Sequence, residues 1–106
     1  MAVIRLDEQH NGTRIAAHVG DSLELVLPEN ATTGFQWEVV DAGEALAVNT
    51  SELVPPNAQH AGATGTRHVV VEAVRPGSST LSLRLRRSWE PVDKSADTYA
   101  VDVDVK

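Results

Sequence analysis

This 106-residue chain has few places where chemistry could sit. Cysteine is absent, so there is no thiolate nucleophile, no thiolate metal ligand and no disulfide. The four histidines, His10, His18, His60 and His68, lack the spacing of a metal site. His60 and His68 flank one loop and read as surface residues. Asp102 and Asp104 share a strand face, where they are expected to pair with Arg84 or Arg86 rather than act as general acid and base. No G-x-S-x-G elbow occurs. The expectation is no enzyme, no cofactor and no metal.

What remains is recognition chemistry. Asn30-Ala31-Thr32-Thr33-Gly34-Phe35 sets two hydroxyls, each a donor and an acceptor, before a glycine and an aromatic ring. Gly62-Ala63-Thr64-Gly65 offers backbone that another chain can approach closely, and it lacks the GxxxxGK[ST] pattern of a phosphate cradle. Arg87-Ser88-Trp89-Glu90-Pro91 places a tryptophan among polar residues, and aromatic anchors dominate binding hot spots. Each segment also has a plain reading: an ordinary turn, a flexible hairpin end, and a tryptophan folded back as a cap. Trp37, two residues beyond Phe35, is expected in the core.

The elements that must position these residues follow from apolar alternation. Leu23, Leu25 and Leu27 alternate with Ser22, Glu24 and Val26; Leu81, Leu83 and Leu85 alternate with Ser82, Arg84 and Arg86. Tyr99, Val101, Val103 and Val105 do the same with Ala100, Asp102 and Asp104. Period two marks half-buried strands. The expected strands are 2–6, 13–18, 21–27, 35–41, 46–54, 66–74, 79–87 and 97–105. Short strands separated by turn signals point to an all-β, immunoglobulin-like antiparallel sandwich of about seven to eight strands in one domain. The turns Asp41–Glu44 and Arg75–Ser78 are short, whereas the connections 28–34, 55–65 and 88–96 are long. Since successive strands reverse, the three long loops should share one end and form a binding edge.

The formal charge of −6 argues against nucleic acid or an anionic membrane as partner. Arg84 and Arg86 alternate with leucines and should line the wet face of a strand. No apolar run approaches the roughly 18 residues of a membrane helix. The start, MAVIRLDEQH, turns charged at once. The expected location is the cytoplasm as the chain stands, or periplasmic or secreted if Met1 replaces a removed signal peptide. Sequons at Asn11, Asn30 and Asn49 matter only in a glycosylating pathway.

Together the three loop segments resemble the loop motifs of the chagasin-like inhibitors of cysteine peptidases, which are NPTTG before an aromatic, GxGG, and RPW. This chain has Asn30–Phe35, Gly62–Gly65 and Arg87–Trp89, with Ala31, Thr64 and Ser88 as the departures. The resemblance spans about Gly20 to Lys106. It implies an immunoglobulin-like fold and reversible, competitive inhibition of a papain-like cysteine protease. Asn30–Gly34 would enter the cleft, with the Thr32 hydroxyl near the catalytic Cys and His. Gly62–Gly65 would lie on the substrate side, and Arg87 with Trp89 on the leaving-group side. The free chain is expected to be a monomer. The alternative is a non-inhibitory immunoglobulin-like module for adhesion, carbohydrate binding or assembly.

Overall fold

The computed structural model describes residues 2–30, 33–54, 65–91 and 95–106. Eight strands appear where the alternation places them: β1 (Val3–Leu6), β2 (Arg14–Ala17), β3 (Ser22–Glu29), β4 (Phe35–Asp41), β5 (Leu46–Val54), β6 (Gly65–Ala73), β7 (Gly77–Arg87) and β8 (Asp97–Val105). They form two four-stranded sheets, β1-β3-β6-β5 and β2-β8-β7-β4. The inward leucines of β3 and β7, the valines of β6 and β8, and Trp37 and Tyr99 fill the space between them. Leu23, Leu25, Val69, Val71 and Leu81 are completely covered. Truncating one such leucine to alanine costs about 2–5 kcal/mol, because the lost contacts leave a cavity.

The four central pairings are antiparallel, as the alternation implied. The two N-terminal edge strands differ: β1 runs parallel to β3, and β2 parallel to β8. Two reversals separate β1 from β3, so both point the same way, and the arms of this first reversal lie in opposite sheets. Its connection folds into a 3-10 turn, Glu8–His10, capped by Asp7. The Asp7 carboxylate accepts from the Gln9 N–H at 2.9 Å. Buried Tyr99 donates its hydroxyl to the Asp7 carbonyl at 2.8 Å. Burial, and then the Asp7 charge, push the phenol up to about 12. This turn closes the flank of the sandwich.

Arg84 and Arg86 do line the outer face, where both reach the Glu38 carboxylate of β4, Arg86 Nε at 2.7 Å. Those bonds, first from Arg86 and then from Arg84, hold Glu38 below the usual carboxylate range. The expected pairing of Asp102 and Asp104 with these arginines is not made. Register sets Asp102 opposite Thr80 and Asp104 opposite Ser78, and their ion pair is with Arg14 on the neighbouring β2, at 4.0 and 3.6 Å.

Candidate functional site

Register brings the loops together. Glu29 pairs with Gly65, Val54 with Thr66, Phe35 with Arg87, and Leu85 with Asp97. Strands β3, β5 and β7 therefore end, and β4, β6 and β8 begin, at one end of the sandwich, so the three long connections leave from it. Ala31, Thr32, Gly62, Ala63 and Thr64 lie outside the described residues.

In the first connection, the exposed Thr33 closes the turn with its hydroxyl. Its Oγ1 donates to the Asn30 carbonyl at 2.8 Å and accepts from the Phe35 N–H at 3.3 Å. Its own N–H bonds the same carbonyl at 3.3 Å. Gly34 follows with φ of +78°, a left-handed conformation that side chains resist. A second constraint acts there: a Cβ on Gly34 would collide with the Trp89 ring, whose Cζ2 and Cζ3 would stand 3.2 and 3.3 Å away.

Trp89 thus rests one ring edge on Gly34 while remaining 71% exposed. It is not folded back into the core. Its turn is closed by the Glu90 N–H donating to the Arg87 carbonyl at 3.1 Å. Arg86 Nη1 ties the same turn down by donating to the Glu90 carbonyl at 3.0 Å. Arg87 is engaged internally. Its Nε donates to the Thr33 carbonyl at 2.9 Å, its Nη1 meets Glu90 Oε1 at 3.1 Å, and its guanidinium lies 4.2 Å over the Phe35 ring. Phe35 and Arg87 have the same strand parity as Trp37 and Leu85, so at the tip of this sheet the apolar inner face becomes a cation–π pair.

The other sheet does the same with an ion pair that sequence reading missed. Leu23, Leu25 and Leu27 face inward, and the next residue of that parity is Glu29, only 2% exposed. On β6 the inward series Ala73, Val71 and Val69 continues to Arg67 and then to buried Gly65. Arg67 Nη2 reaches Glu29 Oε2 at 2.7 Å, and its Nε reaches Oε1 at 3.1 Å. Glu29 Oε1 also accepts the Trp37 N–H across the sandwich at 2.6 Å, while Trp37 Nε1 donates to the Pro28 carbonyl at 3.0 Å. The signal was present in strand parity. Ending the strand at Leu27 hid it, because charge at position 29 looked like loop.

The chain is similar to known proteins over most of its length. The model of the chagasin family peptidase inhibitor I42 matches residues 16–103. Amoebiasin-1 of Entamoeba histolytica is 35% identical over 105 residues, covering 95% of this chain and 98% of that protein. Chagasin of Trypanosoma cruzi is 28% identical over 102 residues, covering 92% and 93%. The crystal structure of a cysteine protease inhibitor from Entamoeba histolytica superposes with a TM-score of 0.88 over 100% of this chain and 97% of the other, at 18% identity, which speaks for the fold. With the family match running through both sheets and all three loops, the chain belongs to the chagasin family of peptidase inhibitors.

Proposed function

We propose that this chain is a reversible, competitive inhibitor of papain-like cysteine proteases that blocks the active-site cleft with the loop end of its sandwich. The observation that carries the reading is Trp89. It is a large ring, 71% exposed, held against the glycine of the Thr33-Gly34 turn and not absorbed into the core. An ordered, solvent-facing aromatic beside a braced turn is the kind of anchor that protein interfaces use, since little side-chain entropy remains to be lost on binding.

In this arrangement the Asn30–Gly34 segment enters the cleft and covers the catalytic Cys and His. The Thr32 hydroxyl is the group offered to that pair. Gly62–Gly65 lies along the substrate side through its backbone, and Trp89 stacks on the leaving-group side. Arg87 acts from behind, holding the first and third loops together through the Thr33 carbonyl and the Phe35 ring. No peptide bond needs to be cleaved, so the block is reversible.

The test is titration against papain and several related proteases, with serine proteases as controls. Inhibition that substrate competes away, confined to the cysteine enzymes, is the expected result. No inhibition of any papain-like enzyme at high micromolar inhibitor would sink the reading in favour of a non-inhibitory binding module.

A further inference from the structure

We propose that Glu29 and Arg67 form a buried brace that sets the spacing between the first and second loops, and that inhibition depends on it although neither residue reaches the protease. The proposal rests on the inhibitory reading above. Glu29 is the last residue of β3, immediately before Asn30, and Arg67 lies on β6 two residues after Gly65, the end of the second loop segment. Their bidentate pair, at 2.7 and 3.1 Å, therefore ties the entry into the first loop to the exit from the second. The third bond to Glu29, from the Trp37 N–H at 2.6 Å, anchors the pair to the opposite sheet at the point where the first loop lands. One carboxylate thus fixes both feet of the first loop and one foot of the second.

The physics favours positioning over bulk stability. The Glu29 side chain is 0% exposed and that of Arg67 12% exposed, so both lose most of their hydration. Desolvation offsets much of the attraction in such a pair, and well-packed apolar residues often stabilise a fold as well or better. An ion pair differs in direction: fork-to-fork geometry admits one relative placement, whereas apolar contacts admit several. Leucine or valine at these two positions would continue the core as they do at 27 and 69, yet would leave the loop feet free to slide.

The decisive variant is the double substitution Glu29→Gln with Arg67→Met. The glutamine amide keeps an acceptor for the Trp37 N–H, and no charge is left buried without a partner, so the fold is retained while the brace is gone. Inhibition is measured against the best protease of the panel. It is compared with Leu81→Ala, a destabilised core variant away from the loops. Backbone 15N relaxation is followed at the Thr33 and Gly65 amides. The expected result is inhibition weakened about tenfold, the equivalent of one hydrogen-bonded charge pair, together with greater motion at both amides. Leu81→Ala, still folded at the assay temperature, should change neither. Inhibition by the double variant within twofold of the parent, with unchanged relaxation, would overturn the proposal. So would an equal loss in Leu81→Ala. If the parent inhibits no protease, the functional reading falls, and the relaxation data alone judge the brace.

Discussion

Among the described residues, each end of the sandwich buries one carboxylate, and the two are used differently. At the tight-turn end, Asp21 is 5% exposed and accepts two backbone N–H groups at 2.9 Å, from His18 and from Ala2. Around it the work is done by the main chain. Gly20 N–H donates to the Ala73 carbonyl, Ala73 N–H to the Asp21 carbonyl, and Val74 N–H to the Ala45 carbonyl. At the loop end, Glu29 is held by an arginine from another strand, and Arg87 reaches over to the Thr33 carbonyl. Short turns let backbone close on backbone. Where the connections are long, closure between the described strand ends falls to charged side chains. One end is shut by backbone, and at the other the described strand ends are held by charged side chains.

The largest effect that tests this contrast is on the tryptophans. Trp37, 7% exposed, packs between the sheets and gives both of its N–H groups to Pro28 and Glu29. Trp37→Ala should lower unfolding free energy by about 3–5 kcal/mol in urea denaturation, and inhibition should disappear with the folded state. Trp89→Ala should leave stability within about 0.5 kcal/mol, as for an exposed site. Inhibition should weaken about thirtyfold, the equivalent of a 2 kcal/mol hot spot. Equal destabilisation by the two variants would show that the loop end is core after all.

Acid probes the tight-turn end by itself. The backbone bonds from His18 and then Ala2 hold Asp21 below its ordinary value. A carboxylate lowered on folding contributes stability that is present above its unfolded value, near about pH 4, and is lost as pH falls through the lower folded value. Glu38, lowered by Arg86 and Arg84, adds to the same acid limb. The melting temperature should therefore fall on acidification below about pH 4, and Asp21→Asn should flatten that limb while lowering stability at neutral pH. An acid limb unchanged by Asp21→Asn would remove Asp21 from the account.

The sequence announces strands well because alternation over five to nine residues is a local signal that burial enforces at every step. It also places the loops at one end, since strand reversal is a topological necessity. It does not show the parallel edges, because β1 and β2 are four residues each and nothing in them states which strand they will flank. It does not show how Thr33 and Arg87 are held. A hydroxyl or guanidinium in a loop looks free until register shows which carbonyl lies beside it. Asp102 and Asp104 fail for the same reason: an ion-pair partner is chosen by register across the sheet, and apolar pattern gives strand position without register.

Two glycines with nearly the same backbone allow the smallest and sharpest comparison. Gly12 has φ of +80° and Gly34 of +78°. Alanine at either site carries the left-handed strain of about 1–2 kcal/mol, so Gly12→Ala and Gly34→Ala should lose similar stability in urea. Their surroundings differ. A Cβ at Gly12 meets nothing within 4 Å, whereas one at Gly34 runs into the Trp89 ring and must push it aside. Inhibition should therefore be unchanged in Gly12→Ala and weakened several-fold in Gly34→Ala. Loss of loop shape alone could produce that difference, so the argument is completed by a cycle with Trp89→Ala. If Gly34 acts by seating the ring, Gly34→Ala should add almost nothing to the loss already caused by Trp89→Ala, because residues in contact are non-additive. Full additivity of the two losses would mean that Gly34 serves the cleft-entering turn by itself and that the resting place of Trp89 is incidental to binding.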